Sequence, residues 1–273
     1  MNDYSDVAVL IMSCDKNTWL LDIFLKSFFR FSENRIGKIY VSLENSPYCY
    51  RDGQVSVICS DIKLEWSGRL KYALEHISEK YVLLFMDDYI LEEPIRFDIL
   101  SRYLNLMRTD GICDITLRTI NEDSNDEDNK YEELIHRARY GKYKTVLQAS
   151  LWDKTYLRKL IISNKENAWE FETFSNIRSF PFPDSFYMVR DNKFAPFVYN
   201  DGFFAVHGAV IKEEKERIEK KLNISINLPQ NVKVLAWDDM KRDDANIFQK
   251  IIRRTKIMIY YVFYRGLSLF KRI

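Results

Sequence analysis

The sequence has 273 residues, with Lys+Arg 41 against Asp+Glu 40 and a formal net charge of +1. It is 47% hydrophobic and 30% charged, enough apolar side chain for a large buried core, which excludes disorder as the main state. The even charge balance argues against a protein built to coat nucleic acid. Only 8 glycines argue against Gly-rich nucleotide cradles, collagen and repeat arrays.

Cys14, Cys49, Cys59 and Cys113 stand far apart without a CxxC spacing, so neither a zinc knuckle nor a disulfide framework is expected. The opening MNDYSDVAVLIMSC is acidic, and its apolar run is too short for a signal peptide. No stretch approaches the roughly 20 apolar residues that span a bilayer. Reduced thiols in a cytosolic or membrane-peripheral protein are therefore expected.

In chain order, Val7 to Met12 is a continuous apolar run, the mark of a strand covered on both faces, and it stops at the polar turn Ser13-Cys14-Asp15-Lys16-Asn17. Leu21, Phe24, Leu25 and Phe28 recur at helical spacing. Residues 39–43 and 55–58 read as strands. Leu70, Ala73, Leu74 and Ile77 give a second helix one apolar face, and Tyr81 to Met86 reads as a strand ending in Asp87-Asp88. This alternation predicts a parallel α/β sheet with short connections. Ligands of such sheets sit beyond the carboxyl ends of the strands, so Asp15, Glu44 and Asp87-Asp88 are expected to face one crevice.

Residues 96–107 read as a helix and 112–117 as a strand. The acidic run 121–128 lacks the Gly and terminal Glu of an EF-hand loop and reads as a solvated loop rather than a calcium site. Residues 148–180 read as helical and aromatic, the stretch to about 210 as irregular, and 212–221 as a charged helix face. From 249 to 273 basic residues (Lys250, Arg253, Arg254, Lys256, Arg265, Lys271 and Arg272) flank the apolar, aromatic segment 257–264 with no acidic residue. That composition suits an interfacial helix on anionic lipid. A terminal helix packed on its own domain or on a partner subunit is the other reading.

Adjacent carboxylates closing an apolar strand repel and call for compensation. Either one Asp caps the next element while the other is solvated, or the pair holds a hard divalent cation, Mg2+ or Mn2+, shared with a diphosphate.

The segment Trp66-Ser67-Gly68-Arg69-Leu70-Lys71-Tyr72-Ala73-Leu74 followed by Tyr81 through Tyr89 resembles GT-A type bacterial glycosyltransferases of capsule, lipopolysaccharide and exopolysaccharide assembly. In that family a helix precedes an apolar strand ending in a DxD-like acidic motif. Gln148 to Trp152 and Asn167 to Glu172 look like its acceptor-side segments, so the resemblance covers roughly residues 5–210. It implies a Rossmann-like α/β mixed sheet flanked by helices over 1–245, with a nucleotide-binding half to about 118 and an acceptor half over 119–245. Residues 246–273 form a basic helical appendage. A strict DxD is absent, since the chain reads Met86-Asp87-Asp88-Tyr89.

The resemblance implies a nucleotide-sugar donor, most simply a UDP-sugar. Asp15 would lie near the base, with Trp66, Ser67 and Arg69 near the nucleoside or diphosphate, alongside Glu44. Asp87 and Asp88 would hold the metal, or ribose and metal between them, and His207 would be a distal metal ligand. An inverting transfer needs a carboxylate beside the acceptor hydroxyl. Glu172 is the first choice and Glu170 the second, because Trp169 and Phe171 could stack on a sugar and desolvate them. The alternative is an amphipathic helix with core aromatics and solvated carboxylates. Gln148, Trp152 and Trp169 would line the acceptor site.

The expected protein is thus a hexosyltransferase acting on a polyprenyl-linked or saccharide acceptor at the inner face of the cell membrane. An aromatic terminal helix could pair with itself in a homo-oligomer. The turn after the first strand lacks the glycines of a nucleotidylyltransferase, and no G-x-S-x-G elbow marks a hydrolase. The rival from another class is a non-catalytic sugar- or membrane-binding protein with a degenerate transferase fold.

Overall fold

The computed structural model describes residues 4–60, 63–120, 125–126, 130–141, 143–200, 204–206, 208–239 and 247–270. The apolar run Val7–Met12 is strand β1, buried at every position. After α1 (Thr18–Ser32), β2 (Ile39–Leu43) and β3 (Ser56–Cys59) pair parallel outward from it. α2 (Trp66–His76) crosses over to β4 (Tyr81–Met86), which pairs parallel on the other side of β1 and places Met12 opposite Met86.

Beyond β4 the sheet changes direction. After α3 (Phe97–Asp110), the short strands β5 (Asp114–Thr116), β6 (Asn125–Asp126) and β7 (Leu134–Arg137) lead to β8 (Ser150–Asp153). β8 runs antiparallel to both β4 and β5 and lies between them. α4 (Lys154–Leu160), α5 (Ala168–Arg178) and β9 (Phe186–Val189) complete a mixed nine-stranded sheet ordered β3-β2-β1-β4-β8-β5-β9-β7-β6. The expected α/β sheet flanked by helices is present, and it takes strands from residues 7–189.

Two readings of the sequence are corrected. Residues 148–180 are not helical throughout, because Ser150–Asp153 is a central strand. A short apolar run buried on both faces has the same periodicity in a strand as in a helix. The 181–210 stretch, expected to be irregular, contains β9, deep in the sheet. Of the acidic run, Asn125–Asp126 pairs with β7 as an edge strand, and residues 121–124 and 127–128 lie outside the described residues.

Alternation across the strands sorts the core into two layers. Val9, Ile11, Leu83 and Phe85 face α1 and α3, while Ala8, Leu10, Val82 and Leu84 face α2, α4 and α5. A smaller sheet of β10 (Ala205–Val206), β11 (Ala209–Ile211) and β12 (Lys233–Leu235) packs with α6 (Lys212–Leu222) against α1 through Leu20, Ile218 and Phe204.

The basic tail forms α7 (Ile247–Phe270). One face docks on the domain: Tyr260 packs on Phe174 with ring centroids 5.0 Å apart, and Tyr261 meets Phe180 edge-on at 5.5 Å. The Tyr140 and Ser268 hydroxyls are 2.7 Å apart. The opposite face leaves Met258, Ile259, Val262, Phe263 and Leu269 exposed. Packing on its own domain and an outward apolar stripe thus coexist on one helix.

Candidate active site

The register of β1 on β4 brings two strand ends side by side. Ser13, the residue after β1, donates its hydroxyl to Asp87 Oδ2 at 2.6 Å. Burial raises the Asp87 carboxyl to about 6, against the Ser13 hydrogen bond, which pulls the other way. Arg69 of α2 donates to the Ser13 carbonyl and lies 3.5 Å from Glu44. Its guanidinium is buried, so it supplies positive potential beneath the crevice rather than an open contact. Asp15 and Glu44 clasp each other: the Asp15 carboxylate accepts the backbone N–H groups of Glu44, Asn45 and Ser46, and Glu44 Oε2 accepts from the Asp15 N–H at 2.6 Å. This clamp joins the exit loops of β1 and β2. It spends the oxygens that would otherwise read a base.

Asp88 follows directly. Burial, and then the neighbouring Asp87 charge, raise its carboxyl to about 8. Tyr89 next to it donates its hydroxyl to the Leu147 carbonyl, and the Leu147 N–H donates to Glu172 Oε1 at 2.9 Å. The Tyr89 hydroxyl is raised well above its ordinary range, first by burial and then by the charges of Asp88, Tyr199 and Glu172. Asp88 and Glu172 of α5 therefore both act on one phenol. Burial raises the Glu172 carboxyl as well, with the Leu147 hydrogen bond opposing.

Gln148 is brought to the same cluster. Its Oε1 accepts the Tyr199 hydroxyl at 2.8 Å, and the Tyr199 ring stacks on Tyr89 with centroids 4.9 Å apart. The Arg118 guanidinium lies 4.8 Å over the Tyr199 ring and donates to the Asn200 carbonyl at 2.9 Å. Sequence reasoning gave no role to Tyr89, Arg118 or Tyr199. Arg118 lies two residues past β5, so the strand-end rule that selected Asp87 would have found it. Tyr199 follows no strand and carries no such signal.

Other expected site residues do structural work. Trp66 is buried between α2 and α5, its ring 5.1 Å from Phe171, which leaves no open face for a nucleoside. Ser67 bonds the Ser163 carbonyl and the Glu166 N–H through its hydroxyl. Gly68 permits this approach, since a Cβ there would lie 2.9 Å from the Asn164 carbonyl oxygen. Trp152 is 2% exposed in the core beside Phe186. It does not line the acceptor crevice, because as the third residue of a central strand it points into the layer under α2 and α4. Glu170 completes a capping box with Asn167 at the start of α5. Trp169 is 72% exposed at the mouth of the cavity that Glu172 also lines. His207 lies outside the described residues.

Among the described residues no three His, Cys, Asp or Glu side chains gather as a metal cage. Asp88 beside Asp87 fits instead a Mg2+ or Mn2+ ion that keeps waters and shares a ligand's phosphate oxygens. A desolvated carboxyl raised by a like-charged neighbour is the kind of group a cation would relieve.

No known protein-family profile matches the chain, and no curated protein matches it. Among solved structures it is similar to residues 1–349 of S. aureus TarS, with a TM-score of 0.51 and 10% identity over 94% of this chain and 70% of that one. The fold is that of the GT-A glycosyltransferases. The same TarS fragment in complex with UDP matches at a TM-score of 0.48 and 12% identity, over 81% of this chain and 67% of that one. The Pyrobaculum calidifontis mannosyltransferase PcManGT, in complex with GDP-Man and Mn2+, matches at 0.45 and 11%, over 94% and 62%. The fold assignment rests on the first. In this GT-A chain the crevice beyond β1 and β4 is where the sheet's topology places a ligand.

Proposed function

We propose that this GT-A chain is a nucleotide-sugar-dependent hexosyltransferase that moves a sugar, with inversion, from a UDP-sugar to a lipid-linked or polysaccharide acceptor in cell-surface glycan assembly. The observation that supports the reading is the Leu147 bridge, which links the desolvated Glu172 to Tyr89, the residue that follows Asp87-Asp88.

In this reading Asp88 and Asp87 would hold a divalent cation, which would supply charge neutralisation for a departing diphosphate. Arg69 adds positive potential under the same point. Glu172 fixes Oε1 on the Leu147 N–H and leaves Oε2 to take the acceptor hydroxyl proton. Burial that raises its carboxyl brings its basicity nearer to that of a useful general base. Trp169, open to solvent, offers a ring to the acceptor.

The outward face of α7 supports a peripheral position at the inner membrane surface. Among the described residues no helix is long and apolar enough to cross a membrane. Exposed Met258, Ile259, Val262 and Phe263, with basic residues at both ends of the sequence segment, suit a helix lying in the headgroup boundary.

The test is a thermal-shift screen of nucleotides and nucleotide sugars with and without Mn2+, since a ligand of the native state raises apparent stability by RT ln(1 + [L]/Kd). A shift confined to one nucleotide class and enlarged by Mn2+ is expected, followed by turnover with that donor. Binding without turnover would favour the non-catalytic reading, which the departure from a strict DxD motivates. No shift with any nucleotide would sink the donor assignment.

A further inference from the structure

On α5, Trp169, Glu172, Thr173, Asn176, Ile177 and Phe180 recur at helical spacing and line a cavity of about 470 Å³, to which Ile257 and Tyr261 of α7 contribute a second wall. Glu172 is the one carboxylate in that lining among the described residues.

α7 meets α5 with a face of its own. Ile257, Tyr260, Tyr261, Tyr264 and Ser268 keep the same spacing and are half-buried or buried, while Met258, Ile259, Val262 and Phe263 between them are exposed. The inner face covers more than the cavity. The Arg178 guanidinium lies 5.6 Å from the centre of the Phe174 ring and 5.4 Å from that of Tyr260. Tyr260 thus closes over the ion pair of Arg178 with Glu166, whose side chains are only 1% and 2% exposed. A helix resting loosely on the domain would leave such a pair in water, so the docked face is an integral part of the domain.

Burial raises the Glu172 carboxyl against the Leu147 hydrogen bond, and no charge among the described residues enters that balance. The titratable groups around it are the phenols of Tyr89, Tyr140, Tyr143 and Tyr261. Lys256 and Arg265 stand at the flanks, 4.5 Å over Phe174 and 5.1 Å over Tyr140. What keeps water away therefore sets the carboxyl's basicity, and on the cavity side α7 supplies that cover.

We propose that α7 is a wall of the active site: its inner face, through Ile257 and Tyr261, keeps water from Glu172, and Tyr260 is the positioning residue that holds this face on α5. The consequence for transfer rests on the transferase reading, in which Glu172 takes the acceptor proton. The wall itself stands on the two facing stripes and the covered ion pair.

The experiment follows the Glu172 carboxyl carbon by NMR against pH in the full chain, its signal identified by its loss in Glu172→Gln. The pH profile of kcat is measured beside it, with the donor found by thermal shift. Ile257→Ala and Tyr261→Ala open the wall without touching the Tyr260–Phe174 stack; Tyr261→Phe keeps the ring, and Leu269→Ser alters only the outer face. In both alanine variants the titration midpoint should fall towards the ordinary carboxylate range. The acidic limb of kcat should move to lower pH with it, because a base acts only when deprotonated, while the donor KM stays unchanged. Tyr260→Ala should lower the midpoint in the same direction. Tyr261→Phe and Leu269→Ser should titrate as the wild type does. A midpoint unmoved in either alanine variant that keeps its native circular dichroism, or one lowered equally by Leu269→Ser, would overturn the proposal. A midpoint that falls while the acidic limb stays, or falls in a chain that turns over no donor, would fail the transferase reading and leave the wall standing.

Discussion

Tyr89 and Glu172 meet on the two sides of one residue: the Leu147 carbonyl accepts the Tyr89 hydroxyl, and the Leu147 N–H donates to the Glu172 carboxylate. The carboxylate's position is thereby tied to Tyr89, just past the end of β4 and 83 residues earlier in the chain.

Glu172→Gln should slow transfer by about 10²-fold or more, the usual worth of a general base, while donor still binds. Stability should move the other way. A carboxyl raised in the folded state is protonated more readily there than in the unfolded chain, so its ionisation costs stability as pH rises through the raised value. The variant should melt at or above the wild-type temperature at neutral pH, and the difference should vanish below the ordinary carboxyl range. A lower melting temperature at neutral pH would show that Glu172 serves packing.

Asp88→Asn should leave circular dichroism intact and melting at or above wild type at neutral pH, because the residue lies two positions past β4 and its carboxyl is raised by burial and by Asp87. Transfer and the Mn2+-dependent part of the donor shift should both be lost. Full activity would remove Asp88 from the site.

Glu166 and Arg178 form a buried ion pair, and Arg178 also donates to the Leu160 carbonyl at 3.0 Å. With Ser67 on the other side, the pair pins the 160–167 loop between α2 and α5. Removing one partner strands the other charge, so Glu166→Ala should cost about 3–5 kcal/mol in denaturant unfolding. A loss under about 1 kcal/mol, the value of exposed pairs, would contradict this.

Lys144 is fully buried, 3.6 Å from Asp184 and 4.5 Å over the Phe186 ring. Burial lowers its ammonium to about 8 from 10.5. The unfolded chain holds that proton more tightly between these values, so stability should rise with pH across that window and carry the full penalty below it. Asp184 keeps His136 and Arg139 as partners. Lys144→Met should therefore raise the melting temperature near pH 7, with the gain closing towards pH 10.5. A gain that persists above that pH would point to packing instead.

Val262→Ser combined with Phe263→Ser should reduce sedimentation with anionic vesicles and leave melting unchanged, since both side chains are exposed. Unaltered sedimentation would return α7 to a purely structural role.

The parallel half of the sheet was legible because continuous apolar runs such as Val7–Met12 end in sharp polar turns. The strand-end rule named Asp15, Glu44 and Asp87; the structure pairs Asp15 with Glu44 as a clamp and ties Asp87 to Ser13. Trp66 and Trp152 misled for one reason: a large aromatic beside polar residues looks alike in sequence whether it faces a ligand or a core. Glu170 and Glu172 differ by two residues on one helix, and only the capping box separates them. Ser150–Asp153 was lost because a short strand inserted between sequence-distant partners has no local period of its own.

That insertion bears on how the chain is made. β4 and β5 are joined only through β8, which lies 64 residues beyond the end of β4. During synthesis the ladder of β3, β2, β1 and β4 can assemble first, yet it exposes an open edge along six apolar residues. Such an edge is a template for pairing with another nascent chain. Ribosome-bound chains halted before residue 150 should therefore aggregate or recruit chaperones, and those halted well past residue 189, with β8 and β9 clear of the exit tunnel, should not.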